Sequence, residues 1–251
     1  MSQHQLAGKV VLVAGGAKNL GGLISRQLAA QGAKIAVHYN SDVTQAAANQ
    51  TVQDIIAAGG EAFAIQGDLT QVAMVQQVFA ATKAQFGGID IAINTVGKVL
   101  KKPFVDTTEA DYDEMAAVNS KSAYFFIQEA GKHLNNNGKI CTIVTSLLAA
   151  YTGLYSTYEG MKAPVEHFTR AASKEFGERG ISVTAVAPGP MDTPFFYGQE
   201  SAEAVAYHKS ASALGGLTQI EDIAALVKFL VSEGWWITGQ TIFANGGYTT
   251  R

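Results

Sequence analysis

The sequence predicts an α/β fold in which helices cover both faces of a doubly wound parallel sheet of about seven strands. Strand-like and helix-like patterns alternate along the whole chain, and most of the strand-like runs are continuously apolar. Parallel strands that are covered on both faces have this continuous pattern. Repeated strand–helix–strand units also connect through right-handed crossovers. We therefore expect three layers, α/β/α, in a single domain over residues 1–251.

Seven runs are predicted strands, at residues 10–14, 34–39, 62–66, 89–94, 139–145, 182–187 and 240–243. After the first run, Leu20, Leu23, Ile24 and Leu28 recur at helical spacing, and Gly32 follows them. This spacing predicts a helix with one apolar face, because residues three and four apart share a face. Gly32 is expected to end it.

Residues 191–216 form the one long stretch without a predicted strand. The stretch begins among prolines and carries four aromatic residues: Phe195, Phe196, Tyr197 and Tyr207. Long loops beside a rigid scaffold often close over bound ligands. We interpret the stretch as a substrate lid, with a variable helical insertion as the alternative.

Composition excludes several classes of function. Apolar residues make up 47% of the chain and charged residues 16%, which is enough apolar character for a core. The net charge is −3 and no Lys/Arg run is present, so neither nucleic acid nor a membrane is an expected partner. The sequence shows no signal-peptide pattern, and we expect a cytoplasmic protein. Cys141 lies in an apolar run and is expected to be buried, and the five histidines show no metal-binding spacing.

A glycine-rich turn, Ala14-Gly-Gly-Ala-Lys-Asn-Leu-Gly-Gly22, follows the first predicted strand and precedes the first predicted helix. Glycines let the backbone turn sharply and let a pyrophosphate approach, and a helix N-terminus offers unpaired N–H groups. The turn therefore predicts a Rossmann-type dinucleotide site. The candidate residues are Gly15, Lys18, Asn19, Leu20 and Gly21.

The tip of the second predicted strand reads Tyr39-Asn40-Ser41, without a carboxylate. Sites that prefer NAD place a carboxylate here to hold the ribose 2′-hydroxyl, and this carboxylate would repel a 2′-phosphate. Asn40, Ser41 and Lys18 can instead donate hydrogen bonds to a phosphate. We expect NADP(H). The alternative is that Asp42 holds the ribose and the cofactor is NAD.

Tyr158 and Lys162 are four residues apart and would share one face of a helix. A free phenol has a pKa near 10, and one ammonium about 4 Å away could lower it by roughly three units. Such a pair could protonate a ketone oxygen as hydride arrives, or deprotonate an alcohol in reverse. By itself this spacing also occurs on ordinary helix surfaces.

With these motifs in order, the chain resembles a short-chain dehydrogenase/reductase over nearly its whole length. The resemblance implies that Asp68-Leu69 contacts the adenine, and that Asn94 and Gly97 belong to the motif of the fourth strand. It implies that Asn119 holds a proton-relay water and that Tyr158 and Lys162 are catalytic. Pro188-Gly189 and Thr193 would contact the nicotinamide.

The chain departs from the family pattern at three places. Ala14 stands where the family usually has threonine, so one hydroxyl that would brace the turn is missing, and Asn19 replaces the middle glycine. Thr95-Val96 replaces Asn-Ala, which leaves one fewer amide near the cofactor. Asparagine tolerates unusual backbone angles, so we expect the loop to survive.

The family also uses a hydroxyl to hold the substrate oxygen, usually thirteen residues before the tyrosine. That spacing selects Thr145, whereas the local pattern Ser146-Leu-Leu-Ala149 selects Ser146. Adjacent strand side chains point to opposite faces, so we expect only one of them in the site. Both remain candidates.

The resemblance implies an NADP-dependent carbonyl reductase that acts on a 3-oxoacyl thioester or a small hydrophobic ketone. An NAD-dependent alcohol or polyol dehydrogenase is one alternative. A non-catalytic nucleotide-binding regulator is another, disfavoured because Asn119, Tyr158 and Lys162 are all present. Lys98, Lys101 and Lys102 could form a basic patch for an acyl carrier protein, or an ordinary solvated loop.

The helix after Tyr158 also carries an apolar stripe at helical spacing: Met161, Val165, Phe168, Ala172 and Phe176. Such a stripe most simply packs into the core. In this family the same helix often also packs against a partner subunit. The resemblance therefore implies a homotetramer or homodimer.

Overall fold

The computed structural model describes residues 4–250. The strands are β1 Val10–Ala14, β2 Lys34–Tyr39, β3 Glu61–Gln66, β4 Ile91–Asn94, β5 Lys139–Ile143, β6 Ser182–Pro188 and β7 Gln240–Ala244. They form one parallel sheet in the order β3-β2-β1-β4-β5-β6-β7. The chain winds outwards in both directions from the neighbouring strands β1 and β4, which confirms the predicted doubly wound sheet.

Helices cover both faces of the sheet. They are α1 Asn19–Ala29, α2 Asp42–Ala57, α3 Val72–Phe86, α4 Glu109–Ala116, α5 Ser122–His133, α6 Ser156–Glu175, α7 Pro194–Tyr197, α8 Ala202–Ala211 and α9 Ile220–Leu230. One core lies under α1, α2 and α9, and a second lies under α3, α5 and α6. The predicted three-layer α/β/α arrangement is confirmed.

The pleat of β1 explains why its run is apolar throughout. Val11 and Val13 enter the core on one face, and Leu12 and Ala14 enter the core on the other. All four side chains are fully buried. Successive side chains of a strand point to opposite faces, so a strand covered on both sides must be apolar at every position.

Two strand ends differ from the prediction by two residues, and the first of these differences lies at the site. β5 ends at Ile143, two residues earlier than predicted, because a short 3₁₀ turn begins at Ser146. Thr145 is therefore in extended backbone beyond the strand. β4 begins at Ile91, two residues later than predicted. Both differences shorten the strands, since neither end continues the regular pairing.

Helices α4 and α5 are joined by a π-helical turn at Ala117–Lys121, which carries Asn119. Turns of this kind are frequent at functional sites. The apolar stripe of α6 packs inwards: Val165 and Ala172 are buried, and Phe168 and Phe176 pack against the core. Core packing is thus confirmed for these four residues of the stripe, whereas Met161 is half-buried.

Residues 191–216 contain α7 and α8 and no strand, apart from one isolated bridge between Met191 and Thr218. Neither α7 nor α8 buries a residue. Phe195, Tyr197 and Tyr207 are substantially exposed. The two helices of this segment therefore contribute little apolar packing against the rest of the protein.

Candidate active site

The glycine-rich turn between β1 and α1 has the backbone that its sequence predicts. Gly15 has a φ of 73° and Asn19 a φ of 48°, both in the left-handed region. Asparagine tolerates this region better than most residues, as expected for Asn19. A Cβ atom at Gly21 would lie only 2.1 Å from the carbonyl oxygen of Gly15, so the helix can approach the turn this closely only with glycine there.

Hydroxyl groups from neighbouring elements brace this turn. The Thr95 hydroxyl donates to the Ala14 carbonyl at 2.9 Å, and the buried Ser25 hydroxyl donates to the Gly21 carbonyl at 2.9 Å. Two of the departures from the family pattern, Ala14 and Thr95, are therefore related. Ala14 leaves the turn without the hydroxyl that the family's threonine would supply, and Thr95, directly after β4, supplies a hydroxyl instead.

His38 is a further support of the turn, and the sequence reasoning missed it. The Gly15 N–H donates to Nδ1 of His38 at 3.1 Å, and Nε2 lies 2.7 Å from the Gly67 carbonyl oxygen. Nδ1 must accept, so the proton of the neutral ring belongs on Nε2. Burial lowers the pKa of His38 to about 4. A polar residue in a buried apolar strand was the signal that could have revealed it.

A cleft of about 1030 Å³ opens above this turn, at the carboxyl ends of β1, β2, β4 and β5. This is the switch point of the sheet, where ligands of doubly wound folds bind. Predicted cofactor-binding residues line it: Gly15, Lys18, Asn19, Leu20, Gly21, Tyr39, Asn40, Gly97, Tyr158, Lys162 and Thr193. Thr44, Thr95 and Val96 also line it and were not predicted.

The other predicted cofactor-binding residues lie beside the cleft rather than in its lining. The Asp68 carboxylate accepts from the N–H and hydroxyl of Thr70, and Leu69 is buried. The Asn94 side-chain oxygen accepts from the Val96 N–H at 2.9 Å. Pro188 and Gly189 line the neighbouring pocket instead.

At the tip of β2, the Ser41 hydroxyl does not cap α2. The Ser41 carbonyl accepts from the N–H and hydroxyl of Thr44. The Asp42 carboxylate accepts from the Gln66 amide at 3.1 Å and does not line the cleft. The alternative in which Asp42 holds a ribose therefore receives no support from the geometry.

Tyr158 and Lys162 lie in the first half of α6, but they are not paired with each other. The buried Lys162 ammonium donates to the Ile143 carbonyl at 3.0 Å and the Val96 carbonyl at 3.1 Å. Burial lowers the pKa of Lys162 to about 8. Burial raises the pKa of Tyr158 to about 12, opposed in part by the Thr145 hydroxyl. In this arrangement burial raises the pKa of Tyr158 by more than the Thr145 hydroxyl lowers it, and the lowering of that pKa by Lys162 stays a prediction.

Asn119 and Lys162 meet at Gly97. A Cβ at Gly97 would lie 3.0 Å from the Lys162 Nζ and 3.2 Å from the Asn119 Oδ1. The Asn119 side chain accepts from the Lys98 N–H and donates to the carbonyls of Lys98 and Met115. Asn119 therefore fixes the chain after β4 against the π-helical turn.

The two candidate hydroxyls have different surroundings. The Thr145 hydroxyl is placed to hydrogen-bond the Tyr158 phenol and also accepts from the Leu147 N–H at 3.2 Å. The Ser146 hydroxyl is buried, donates to the Ala187 carbonyl at 3.0 Å and accepts from the Asn245 amide at 3.0 Å. Both hydroxyls line the same pocket as Tyr158, but the Ser146 hydroxyl is engaged by two partners, and Thr145 is the one that lowers the pKa of the Tyr158 phenol.

A second pocket, of about 700 Å³, adjoins the cleft. Both Thr145 and Ser146 are among its lining residues, as are many apolar and aromatic groups: Val99, Leu147, Tyr155, Pro188, Pro190, Phe195, Phe196 and Tyr248. Tyr158, Val144, Met191, Thr193 and Phe195 line both spaces. Tyr158 therefore stands where the two meet.

The three lysines considered as a basic patch are each paired with a carboxylate. Lys98 is paired with Glu114, Lys101 with Glu200 at 2.5 Å, and Lys102 with Asp111 at 2.6 Å. These ion pairs neutralise the positive charge that an acidic carrier would need. The suggestion of a docking patch for an acyl carrier protein is therefore not supported.

Within residues 4–250, no group of three or more His, Cys, Asp or Glu side chains is arranged to hold a metal ion. In the same part of the chain, no helix has the length and apolar character that crossing a membrane requires. Cys141 is buried, and burial raises its pKa to about 12, so the thiol is unreactive near neutrality.

Comparisons with known proteins agree with the geometry. A family model described as enoyl-(acyl carrier protein) reductase matches residues 15–249. A hydroxynaphthalene reductase-like protein of Metarhizium majus is 34% identical over 98% of this chain and 97% of its own length.

Two solved structures are similar over nearly the whole chain. A Burkholderia cenocepacia protein, described as a dehydrogenase and solved with bound NADP, is 64% identical with a TM-score of 0.98, covering 100% of this chain and 97% of its own. An angucycline C-6 ketoreductase with bound NADP is 30% identical with a TM-score of 0.90, covering 97% and 96%.

Proposed function

The chain belongs to the short-chain dehydrogenase/reductase family, and we propose that it is an NADPH-dependent reductase of hydrophobic ketones that carry an aromatic ring system. The observation that carries the proposal is the position of Tyr158 at the junction of two spaces. One space has a glycine-rich phosphate cradle, and the other has aromatic walls. A proton donor at such a junction can serve a carbonyl that receives hydride from the cofactor side.

The cleft fits a dinucleotide. The backbone approach of Gly21 to Gly15 leaves no room for a side chain, and the first turn of α1 carries no acidic residue. Unpaired N–H groups at the start of a helix and its positive dipole end favour a pyrophosphate. Lys18 and Asn40 lie in the lining, with Ser41 beside it, where a 2′-phosphate would need donors. When bound, NADPH supplies the hydride.

Tyr158 donates the proton. With a pKa near 12 the phenol is protonated at neutral pH, as an acid for ketone reduction must be. Thr145 is the hydroxyl that holds the substrate oxygen beside the phenol. Lys162 and Asn119, which meet at Gly97, provide the route by which the phenol regains its proton. Ser146 is a structural residue in this assignment.

The substrate class follows from the second pocket. Its walls carry the rings of Tyr155, Phe195, Phe196 and Tyr248, which suit a flat aromatic ketone. Relatives named as hydroxynaphthalene reductase-like and as an angucycline ketoreductase support this class. A 3-oxoacyl thioester on a carrier protein is less favoured, because Lys98, Lys101 and Lys102 are already paired.

Residues 191–216 act as the lid in this proposal. Phe195, Phe196, Gln199 and Glu200 line the substrate pocket, so its shape depends on where this segment lies.

The protein is also expected to form a homodimer or homotetramer. The aromatic side chains of Tyr112 on α4 and Tyr124 on α5 are about half exposed and would be covered in such an assembly. Light scattering after size-exclusion chromatography measures the assembly.

A substrate panel tests the proposed function. Bicyclic aromatic ketones, small aliphatic ketones and a 3-oxoacyl thioester are each offered with NADPH and with NADH, and oxidation of the cofactor is followed by its absorbance. We expect the highest kcat/KM for an aromatic ketone with NADPH. Tyr158→Phe is the control for adventitious activity. Preference for the thioester, or turnover equal to that of Tyr158→Phe, would contradict the proposal.

A further inference from the structure

Glu200 is an acidic residue that the active-site assignment does not use, and its side chain is only 1% exposed. It lies between α7 and α8, two helices that bury no residue. A carboxylate is rarely this buried unless it is paired. Its burial therefore sets it apart from the rest of residues 191–216.

Three side chains surround the carboxylate. The Lys101 ammonium donates to Oε2 at 2.5 Å, and the Tyr155 hydroxyl donates to Oε1. The Nε2 atom of His208 lies 3.7 Å from Oε1, and Nδ1 of His208 contacts the Tyr248 hydroxyl at 2.9 Å. Burial opposes ionisation of Glu200, but the hydrogen bonds from Lys101 and Tyr155 outweigh it and hold the pKa of Glu200 below its usual value.

These partners belong to the frame around the pocket. Lys101 is on the loop between β4 and α4, and its ammonium also lies 5.6 Å from the centre of the Tyr155 ring. Tyr155 immediately precedes α6 and is three residues before Tyr158. Tyr155 is buried, and Lys101 is partly buried. The Glu200 carboxylate consequently joins a segment with little packing of its own to the loop and the helix that border the substrate pocket.

The segment is also tied to the body of the protein at both of its ends. The Ser212 hydroxyl donates to the Gly246 carbonyl at 2.9 Å, and the Leu214 N–H donates to the same carbonyl at 2.9 Å. Both of these contacts lie at the far end of residues 191–216, beyond α8. At the near end, Met191 packs against the core and the Asp192 N–H donates to the Thr218 carbonyl at 3.0 Å. Because α7 and α8 bury no residue, the part that carries Phe195 and Phe196 is held from one side by Met191 and Asp192 and from the other by Glu200.

We propose that Glu200 is a positioning residue that latches residues 191–216 over the substrate pocket through Lys101 and Tyr155. Without the latch, the aromatic wall formed by Phe195 and Phe196 no longer faces Tyr158 at a fixed distance. A ketone then binds less tightly, while the glycine-rich turn that holds the cofactor is unchanged. The effect on substrate rests on the proposed function, whereas the latch itself does not.

Two variants break the latch from opposite sides. Glu200→Gln removes the negative charge from the segment. Lys101→Met removes the positive charge of its partner on the loop, whose side chain is partly exposed. For each we expect KM for the preferred ketone to rise about tenfold or more, with the NADPH dissociation constant changed less than about threefold. Lys101→Arg keeps a cation and should restore most of the wild-type KM.

Limited proteolysis supplies a readout that needs no substrate. Chymotrypsin should cut at Phe195, Phe196 or Tyr207 about tenfold faster in Glu200→Gln and Lys101→Met than in the wild type. Two matched controls should leave both the cutting rate and KM unchanged. Lys102→Met removes the neighbouring lysine, which pairs with Asp111, and Glu203→Gln changes an exposed carboxylate on α8.

The outcomes separate the latch from the proposed function. If both latch variants match the controls in proteolysis, the latch is overturned, whatever substrate is used. If proteolysis accelerates but no ketone is reduced by the wild type, the latch stands and the proposed function fails. If Glu200→Gln does not fold, Lys101→Met decides the question, because its side chain is only partly buried. Equal loss of NADPH and ketone binding would also overturn the latch.

Discussion

Asn245 donates its side-chain amide to the hydroxyl of Ser146 over 3.0 Å. The same hydroxyl donates to the Ala187 carbonyl, so Ser146 ties the turn after β5 to β6 and to the end of β7. Thr145, one residue earlier, is not tied in this way and lowers the pKa of the Tyr158 phenol. The hydrogen bonds of Ser146 therefore distinguish its role from that of Thr145, although the two residues differ by only one position in their spacing from Tyr158.

The two hydroxyls should respond differently to removal. Thr145→Ala should lower kcat about 10²-fold or more, the scale of one lost donor to a developing oxyanion. Ser146→Ala should keep most of the activity but lose about 1 kcal/mol of stability, because it removes buried hydrogen bonds. Steady-state kinetics and urea unfolding measure the two effects, and Thr145→Ser is the control that should retain activity. Equal losses of activity in the two alanine variants would contradict the assignment.

Tyr158→Phe should abolish turnover, with a loss of about 10³-fold, because it keeps the ring but removes the phenolic hydroxyl that carries the transferable proton. The NADPH dissociation constant should change little. Lys162→Met should lose at least as much activity and also weaken NADPH binding, because Lys162 lines the cofactor cleft. Tyr112→Phe, on the exposed side of α4, is the matched control. Retention of more than about a tenth of the activity by Tyr158→Phe would rule out its role, provided that chemistry limits the rate.

The rate of ketone reduction should depend on pH through Lys162 rather than Tyr158. The phenol stays protonated below pH 12 or so, whereas the Lys162 ammonium is lost as pH rises through about 8. Reduction should therefore be fastest below about pH 8 and decline above it, and alcohol oxidation, which needs the phenolate, should keep rising with pH. Lys162→Arg should remove the decline, if it folds and turns over, because a guanidinium stays charged. A reduction rate that is flat between about pH 7 and pH 10 would argue against this dependence.

The absence of a carboxylate at the tip of β2 should make NADPH the preferred cofactor. A negative charge introduced by Ser41→Asp, about 4 Å from a 2′-phosphate, would cost about 1–4 kcal/mol. This variant should lose or reverse the preference, as measured by kcat/KM with NADPH and NADH. Ser41→Ala is the control and should keep most of the preference for NADPH, since Lys18 and Asn40 still line the cleft. A wild-type enzyme that uses both cofactors equally well would show that the interpretation of this strand tip is wrong.

His38 should make the protein sensitive to acid. Its pKa is about 4 in the folded chain and 6.5 in its ordinary state, so between these values the unfolded chain binds a proton that the folded chain does not. Stability from this group is present above pH 6.5 and is lost as pH falls towards 4, by about 3 kcal/mol in all.

Urea unfolding at pH 7 and at pH 4 measures this loss. His38→Asn cannot titrate, so it should be less stable at pH 7 but should show a smaller drop on acidification. It should also bind NADPH more weakly, because the Gly15 N–H loses its acceptor. His167→Asn, at an exposed position on α6, is the control. An identical drop in all three proteins would remove His38 as the cause.

The parallel sheet, the glycine-rich turn and the Tyr158–Lys162 helix could be predicted from the sequence because each depends on local patterns. Continuous apolar runs require cover on both faces, glycines mark positions where a side chain has no room, and a four-residue spacing places two groups on one side of a helix. None of these inferences needs to know which distant segment lies nearby.

Only the tertiary structure decided the contacts between segments that are far apart in sequence. The choice of Thr145 over Ser146 depends on Asn245, which is 99 residues away from Ser146, and the brace of the glycine-rich turn depends on His38, 23 residues after Gly15. Lys101 and Glu200, also 99 residues apart, form a partly buried ion pair where the sequence left a basic patch as one interpretation. The pKa values of Tyr158 and Lys162 likewise followed burial rather than their spacing, because the desolvation of a charged group is set by everything packed around it.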